Sequence, residues 1–211
     1  RMNLSLTFSE NMAEPSRYNV GGDQAPSEIL KNKLRIKDQQ ALEDTESVLF
    51  SDTYEYFLAK LNEGKLEFNI ALIFDVHKYF LGPLYSWAGK VRSVQISKDG
   101  VLFCKAAHIE SALKEFENLL RKGLPGKSDS KSAVAEKLAI IHCEFNAIHP
   151  FREGNGRTIR LFLDLVALNC DYSLIDFGKT SKKTYIEACI AGMNQDYSKM
   201  KSIIYKGLRK K

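Results

Sequence analysis

The sequence predicts a mainly α-helical bundle interrupted by a single β-hairpin. Apolar residues recur at intervals of three and four over most of the chain, which is the period of an amphipathic helix. Near the middle, two short segments instead mix β-branched, aromatic and polar residues around Asp99-Gly100, a dipeptide typical of a two-residue hairpin turn. With 211 residues, 44% of them apolar, the chain is long enough to enclose one core. We therefore expect one helical domain with short attachments.

The predicted elements follow one another along a single domain, residues 28–205. Residues 1–27 contain prolines and glycines among polar neighbours, so we expect an irregular lead-in. Residues 206–211 form a basic C-terminal tail. The helices expected from cap residues and apolar periodicity cover residues 28–34, 39–50, 54–62, 68–79, 108–120, 133–148 and 157–169. Further helices are expected between residue 169 and the tail.

The hairpin is expected from residues 91–97 and 101–104. No second sheet is predicted to cover its outer strand, and an unpaired strand edge can accept an extended peptide from another chain. The same segment is equally consistent with a surface hairpin that has no binding role. The residue pattern by itself leaves both interpretations open.

Charge and cysteine usage argue against several classes of protein. The formal net charge is +5, but six of the 31 Lys and Arg residues and none of the 26 Asp and Glu residues lie from Lys199 onward. The preceding residues therefore carry a net charge of −1. Because the domain has no basic stripe, nucleic-acid binding is not expected. The four cysteines are far apart and lack metal-site spacing, which predicts free thiols.

Hydropathy argues against a membrane protein. No window approaches the length of uninterrupted apolar sequence that a membrane span needs, so we expect no membrane partner. Residues 1–15 include two glutamates and no apolar run of the length found in secretion signals. The expected location is the cytoplasm.

One short segment holds a cluster of reactive side chains. The predicted helix 133–148 ends at His149-Pro150, since proline cannot continue the hydrogen-bond ladder. A glycine-containing loop then leads into helix 157–169, which is apolar nearly all round and therefore central to the core. A glycine-rich turn before a helix N-terminus exposes backbone N–H groups that bind anions, phosphates above all. His149 therefore stands beside a predicted phosphate site.

Charged residues in and after this loop fit the same chemistry. Arg157 and Arg160 project from one helix face and can bind further phosphate oxygens. Glu153 would repel a phosphate unless a cation came between them, and Mg²⁺ favours one or two carboxylates together with phosphate oxygens. His149 can accept a proton from an attacking hydroxyl. A purely structural alternative pairs Asp164 with Arg160 inside the fold.

These residues resemble the Fic family. Residues 149–160 read HPFREGNGRTIR and fill every specified position of the family signature H-x-F-x-[DE]-G-N-G-R-x-x-R. Segments 87–92, 96–98 and 185–204 also look like the family's surroundings, so the resemblance covers roughly residues 30–205. The resemblance implies the helical Fic fold and the transfer of AMP from ATP to a Ser, Thr or Tyr hydroxyl of a target protein.

The resemblance also implies roles for the residues of the loop. His149 is expected to be the general base, and Glu153 to hold Mg²⁺ between the α- and β-phosphates of ATP. Arg157 and Arg160 are expected to bind the β- and γ-phosphates. The residues expected to form the anion hole are Gly154, Asn155 and Gly156. Glu153 favours AMP as the transferred group, because a phosphorylating branch of the family has lysine at that position.

In similar proteins the hairpin is a flap that docks the backbone of the target as an added strand. The residues expected on this flap are Ile96, Ser97, Lys98 and Phe103. Two residues near the C-terminal helices, Asn194 and Tyr197, are candidate neighbours of the adenine base.

Many relatives carry an inhibitory helix, [ST]-x-x-x-E-[GN], whose glutamate pairs with the second arginine of the signature. Outside the loop, Glu is followed by Gly or Asn at positions 10, 63 and 117, and the residues four before are Leu6, Ala59 and Leu113. The missing motif predicts a small separate antitoxin that supplies a glutamate opposite Arg160. The chain then resembles the toxin of a bacterial toxin–antitoxin pair, and a type II topoisomerase subunit is the target suggested by analogy.

Two other functions stay open at this point. A non-enzymatic nucleotide-binding or partner-docking module would keep the loop without its reaction. A Fic enzyme could also use another diphosphate-containing donor in place of ATP, because nothing in the signature excludes it.

Overall fold

The computed structural model describes residues 19–20, 29–98 and 101–211, and these are mainly helical, as predicted. The strands are β1 (Asn19–Val20), β2 (Ile96–Lys98) and β3 (Val101–Leu102). The helices are α1 (Gln39–Asn62), α2 (Ile70–Leu81), α3 (Ile109–Gly123), α4 (Lys131–Ile148), α5 (Asn155–Asn169), α6 (Lys182–Met193) and α7 (Ser198–Gly207). Short 3₁₀ turns, Ala106–His108 and Phe177–Lys179, precede α3 and α6.

The helices predicted at residues 39–50 and 54–62 form one continuous helix, α1. Asp38 caps its N-terminus, because its side chain accepts a hydrogen bond from the backbone N–H of Ala41 at 2.8 Å. The break expected at Asp52 is absent, since no glycine or proline interrupts the segment. Instead, the hydroxyl of the buried Thr53 donates to the carbonyl of Leu49 at 2.6 Å. Asp52 is of a residue type that can cap the start of a helix, but this preference alone does not interrupt a helix that runs through it.

The helix predicted at residues 28–34 is wrong, because residues 29–38 are turn and irregular chain. The side-chain amide of Asn32 binds the local backbone: it accepts from the N–H of Ile36 at 2.9 Å and donates to the Ile36 carbonyl at 2.9 Å. Arg35 lies in the left-handed region, with φ of 57°. Asparagine side chains that bind nearby backbone compete with helix formation, and here they outweigh a segment rich in helix formers.

The centre of the core is formed by α4 and α5. Helix α4 packs against α3, α5, α6 and α7, while α5 also packs against α1 and α2. As predicted, α5 is buried nearly all round, and Leu161, Phe162 and Leu163 are consecutive residues with no exposed surface. Helix α5 begins at Asn155, two residues earlier than predicted. The end of the reactive loop is therefore itself the first turn of a core helix.

The hairpin is present, but its strands are shorter than the predicted 91–97 and 101–104, since residues 91–95 are irregular, and it belongs to a three-stranded antiparallel sheet of order β1–β2–β3. Ser97 on β2 lies opposite Leu102 on β3 and opposite Asn19 on β1. The expected open outer edge of β2 is therefore wrong, because a strand from the N-terminal segment pairs with it. The predicted turn at Asp99-Gly100 and the rest of the predicted lead-in lie outside the described residues.

The basic C-terminal end is attached to the domain. After α7, the carbonyl of Arg209 accepts from the N–H of Ser173 at 2.8 Å, and the N–H of Lys211 donates to Asp171 at 3.1 Å. Tyr172 and Lys210 form an isolated β-bridge between the same segments. The last residues thus continue the fold rather than leave it.

The four cysteines are not joined in disulfides, as predicted. Cys143 and Cys170 are buried, and Cys104 and Cys189 are half-buried. Among the described residues, no helix combines the length and the apolar character that crossing a bilayer requires.

The contact between α4 and α6 depends on a glycine. A Cβ atom at Gly192 would overlap the Sγ of Cys143 and lie 2.6 Å from its Cβ. We expect Gly192→Ala to lower the free energy of unfolding by about 1–3 kcal/mol, because the two helices must move apart. The matched control is Gly123→Ala in α3, where the nearest atom to a new Cβ is 4.0 Å away. There alanine should raise stability by up to about 1 kcal/mol, as usual for helical glycine. Urea unfolding measures both variants, and equal effects would contradict this account of the helix contact.

Candidate active site

His149 stands where α4 ends. It is the C-cap residue, with φ of 49° and ψ of 60°, and its backbone N–H donates to the carbonyl of Phe145 at 2.9 Å. Pro150 follows it and cannot continue the helix. The left-handed backbone turns the chain sharply out of α4, so His149 lies at the mouth of the loop, as predicted.

The imidazole of His149 is oriented by two contacts. Its Nδ1 lies 3.1 Å from the carbonyl oxygen of Asn146. Because a carbonyl can only accept, Nδ1 carries the hydrogen, and in the neutral ring Nε2 carries the lone pair. The ring of Phe103 stacks on the imidazole with centroids 3.9 Å apart and planes 24° apart. Nε2 is therefore the atom of this side chain that can take up a proton.

The loop after His149 is buried and internally braced. The side-chain oxygen of Asn155 accepts from the N–H of Phe151, and its amide nitrogen donates to the carbonyl of Phe151, both at 2.8 Å. Gly154 is the N-cap of α5, with φ of 78°. A Cβ at Gly154 would lie 2.8 Å from Leu81, so the position favours glycine for its backbone and for its space. Asn155 thus holds the shape of the predicted anion site in addition to the role expected of it.

Glu153 is fixed through its own backbone by a histidine that the sequence reasoning missed. His77 on α2 lies with Nε2 2.9 Å from the carbonyl of Glu153, and its Nδ1 accepts from the N–H of Gly89 at 2.8 Å. Burial lowers the pKa of His77 to about 4, so the ring is neutral at pH 7 and Nε2 donates. The same ring stacks on Phe151 with centroids 3.7 Å apart.

The carboxylate of Glu153 is buried, and its Oε1 accepts from the N–H of Gly154 at 2.8 Å. Among the described residues, no cluster of three or more His, Cys, Asp or Glu side chains could hold a metal ion by itself. One carboxylate beside a predicted anion site nevertheless fits Mg²⁺, which commonly takes one or two protein carboxylates and completes its shell with phosphate oxygens and water. The ion would bind here together with its phosphate ligand.

Side chains of α1 and α2 hold Arg157 in place. Its Nη2 lies 2.6 Å from Oε2 of Glu46, and its guanidinium lies over the ring of Phe80, 4.8 Å from the centroid. Oε1 of Glu46 accepts from the hydroxyl of Tyr85 at 2.7 Å. A second carboxylate, that of Glu153, is 3.9 Å from the same Nη2. Glu46 was not predicted, although it occupies the buried face of α1 between Leu42 and Phe50 at helical spacing, where a carboxylate signals a buried partner.

Arg160 lies beside a second buried network. Its Nη1 is 3.4 Å from the hydroxyl of Tyr185, whose oxygen is also 2.6 Å from Nε2 of His142. Asp164, the structural alternative partner of Arg160, instead accepts hydrogen bonds from the Tyr54 hydroxyl at 2.7 Å and the N–H of Ile175 at 2.8 Å. Burial raises the pKa of Asp164 to about 7, and the Arg160 charge opposes this rise only in part.

The predicted flap residues differ in how directly they contact the site. Phe103 contacts His149 directly, so the hairpin segment packs against the site. Ile96 is buried and packs with Phe103 in a small separate cluster. Ser97 and Lys98 lie in strand β2, and both are half-buried.

The two candidate adenine neighbours make local contacts. The hydroxyl of Tyr197 donates to Glu144 at 2.5 Å, and the exposed Asn194 donates to the carbonyl of Ile190 at 3.3 Å. Their assignment to the base stays a prediction.

Comparison with known proteins places this geometry in a family. Residues 67–167 match the family model described as the Fic/DOC family. The chain is 33% identical over 184 residues to y4lH of Sinorhizobium fredii, named a probable protein adenylyltransferase, with 85% of this chain and 93% of that protein covered. It is 32% identical over 181 residues to the protein adenylyltransferase VbhT of Bartonella schoenbuchensis, with 85% of this chain but only 37% of VbhT covered.

Solved structures share the fold. The N-terminal Fic domain of a VirB-translocated Bep effector protein from Bartonella quintana, determined with bound ADP, matches with a TM-score of 0.73 and 24% identity. That match covers 86% of this chain and 91% of the other. The N-terminal Fic domain of Bep8 from Bartonella sp. 1-1C matches with a TM-score of 0.74 and 23% identity, covering 89% and 93%. The predicted fold class is therefore confirmed.

The buried Asp164 predicts a pH-dependent stability. Because the folded chain keeps a proton on Asp164 up to a pKa of about 7, whereas an unfolded aspartate loses it near pH ~3.9, the folded state binds more protons in between. The free energy of unfolding should therefore fall as pH rises from about 4 to 7, by about 2–4 kcal/mol relative to Asp164→Asn. Urea unfolding across this range measures the difference. The exposed Asp44→Asn should run parallel to the parent chain, and a flat difference for Asp164→Asn would contradict the prediction.

The Glu46–Arg157 pair predicts a second effect on stability. Glu46→Gln keeps an oxygen for the Tyr85 hydroxyl but removes the nearer of the two carboxylates that Arg157 faces, so we expect a loss of about 2 kcal/mol in the free energy of unfolding. Glu43→Gln, an exposed position one turn earlier on α1, should change it by less than about 0.5 kcal/mol. Chemical denaturation compares the two variants. Similar values for both would mean that the buried pair contributes little.

Proposed function

Because this chain belongs to the Fic/DOC family, we propose that it is a protein adenylyltransferase, an enzyme that transfers AMP from ATP to a hydroxyl of a target protein. The observation that carries the proposal is one buried loop, which places an imidazole with its lone pair on Nε2 next to the N-terminus of a core helix. The names of its relatives y4lH and VbhT support the same reaction. The ADP bound to the Bartonella quintana domain supports a nucleotide ligand for this fold.

In the proposed reaction, Nε2 of His149 takes the proton of the target hydroxyl while the hydroxyl oxygen bonds to the α-phosphorus of ATP. The bond from the α-phosphorus to the bridging oxygen breaks, so pyrophosphate leaves and AMP stays on the target. The backbone N–H groups of Asn155 and Gly156 would stabilise negative charge on the phosphates, and that of Gly154 would join them only once Oε1 of Glu153 releases it. The contribution of the protein is mostly positioning and charge stabilisation.

The charged residues divide the polyphosphate among them. Glu153 would hold Mg²⁺, and the ion when bound supplies positive charge that neutralises phosphate oxygens. Arg157 and Arg160 would bind the oxygens of the β- and γ-phosphates. Because Glu46 already faces Arg157 at 2.6 Å, Arg157 would reach the phosphates with the opposite edge of a guanidinium that is fixed in place.

The target would dock on the hairpin as an added strand, through Ile96, Ser97, Lys98 and the neighbouring Phe103. In this structure β1 occupies the outer edge of β2. A target strand can therefore take that edge only when β1 leaves it. The target of the reaction is proposed as a protein segment in extended conformation that carries a hydroxyl, with a type II topoisomerase subunit as the candidate by analogy.

Control by a separate partner is part of the proposal. The sequence has no inhibitory motif of its own, so a small antitoxin would supply a glutamate opposite Arg160. Arg160 lies beside Tyr185, and the γ-phosphate would compete there with that glutamate. The chain would then act as a bacterial toxin or effector module in the cytoplasm of its target cell.

Labelled ATP tests the reaction. We expect the purified chain, incubated with Mg²⁺ and bacterial lysate, to attach label from α-labelled ATP to a protein and none from γ-labelled ATP. His149→Asn should reduce the label by about 10²–10⁴-fold, the range for loss of a general base. Asparagine is preferred to alanine in this variant because the residue must keep φ of 49°. The control His108→Ala changes an exposed histidine at the start of α3 and should label normally.

The other outcomes identify the alternatives. Label from the γ-phosphate would mean phosphorylation. If neither label depends on His149 but the chain binds ATP, the nucleotide-binding module is the correct function. If ATP does not bind while another diphosphate-containing nucleotide does, the donor assignment is wrong.

A further inference from the structure

Arg92 lies between α2 and β2, and the reaction proposed above gives it no role. Its side chain is 5% exposed. The guanidinium donates to four backbone carbonyls: Nε to His149 at 2.8 Å, Nη1 to Val94 at 2.7 Å, and Nη2 to Cys104 at 2.6 Å and to Ile148 at 3.4 Å. Every one of these partners is a main-chain oxygen, so the side chain is a connector of backbone segments.

The charge of Arg92 is balanced by dipoles instead of by a carboxylate. None of the ion pairs found in the described ranges involves Arg92, and burial lowers the pKa of its guanidinium. The carbonyls of Ile148 and His149 are at the C-terminus of α4, where unpaired carbonyl groups carry the negative end of the helix dipole. A planar guanidinium can serve several such acceptors at once, which the single ammonium of a lysine cannot do with the same geometry.

The four carbonyls belong to two parts of the site. Val94 and Cys104 flank the β2–β3 hairpin on its two sides, whereas Ile148 and His149 end α4. Two main-chain hydrogen bonds join the same two parts. The N–H of Arg92 donates to the carbonyl of Pro150 at 2.8 Å, and the N–H of Cys104 donates to the carbonyl of Ala147 at 3.1 Å. Phe103, directly before Cys104, stacks on the His149 ring. One side chain thus joins the base of the hairpin to the residue that would take the proton.

We propose that Arg92 is a positioning residue that locks the hairpin to the backbone of His149, so that a hydroxyl on a hairpin-docked segment meets Nε2. This inference rests on the proposed adenylyl transfer. Its guanidinium contacts backbone carbonyls, so Arg92 would act through His149, Phe103 and the hairpin.

The phosphate-binding end of the loop, residues 151–156, should not depend on Arg92. It is braced by the paired bonds between Asn155 and Phe151 and by the bond from His77 to the carbonyl of Glu153. None of these bonds involves the guanidinium. The inference therefore predicts a split: loss of Arg92 impairs transfer to the protein while nucleotide affinity is kept.

The experiment compares Arg92→Gln and Arg92→Lys with the parent chain. For Arg92→Gln we expect the dissociation constant for ATP, measured by calorimetry with Mg²⁺, to stay within about twofold, while kcat for AMP transfer falls about 100-fold. Arg92→Lys keeps the charge and one point of contact, so its kcat should lie between that of the parent chain and that of Arg92→Gln. Leu120→Ala, a buried position near the end of α3, serves as a control that destabilises the fold without touching the hairpin or His149.

A second readout needs no activity. In the parent chain, nuclear magnetic resonance of labelled histidine should show the Nδ1–H tautomer of His149 and ring protons shifted upfield by Phe103. We expect the upfield shift to shrink in Arg92→Gln, to be partly restored in Arg92→Lys, and to persist in Leu120→Ala.

The outcomes separate the two proposals. An unchanged ring shift, or an ATP affinity that falls as far as kcat does, would overturn the role of Arg92. If the parent chain transfers no AMP, the proposal of adenylyl transfer is wrong, and so is the proposed alignment of a docked hydroxyl. The ring shift still decides whether Arg92 positions His149. If Arg92→Gln does not fold, Arg92→Lys decides in the same two measurements, and wild-type values in both would reject the inference.

Discussion

The site depends on one constraint: a loop buried between two core helices must satisfy all of its own polar backbone groups. From His149 to Gly154 every residue except the half-buried Arg152 is buried, although loops normally run over the surface. Three side chains from outside this loop supply the missing partners. Asn155 binds both backbone groups of Phe151, His77 binds the carbonyl of Glu153, and Arg92 binds the carbonyl of His149. Because these bonds are made inside the protein, the loop is shaped before any ligand binds.

Burial also decides which groups carry charge near the site. It lowers the pKa of His77 to about 4 and that of His142 to about 3, so both rings are neutral at pH 7 and act as hydrogen-bonding groups. Asp164, with a pKa raised to about 7, contributes only part of a negative charge. The ionisable side chains beside these neutral groups are Arg157, Arg160, Glu153 and the buried Glu46. The proposed anionic ligand would therefore meet side chains held in direction by their neighbours: Glu46 fixes Arg157, and Tyr185 lies beside Arg160.

Local patterns in the sequence were enough for most of the helices and for the reactive loop. The apolar period of α4 and the proline after His149 place the histidine correctly, because both act within a few residues. The errors come from contacts that override local preference: Asn32 binding the backbone at Ile36, and β1 pairing with a strand far along the chain. His77, Glu46 and Arg92 were missed for the same reason, since each acts on a partner more than fifty residues away. Only Glu46 left a local signal, as a carboxylate on the buried face of α1.

The pairing of β1 with β2 would have a consequence for the proposed docking of a target on the hairpin. For a segment that binds the same edge of β2, the measured dissociation constant is the intrinsic one divided by the fraction of molecules in which β1 has detached. That fraction is a property of the chain alone. It would therefore weaken the binding of every such segment by one common factor and leave the ranking of their affinities unchanged. A change that alters the β1–β2 equilibrium would accordingly tune the overall sensitivity of the protein while preserving its selectivity.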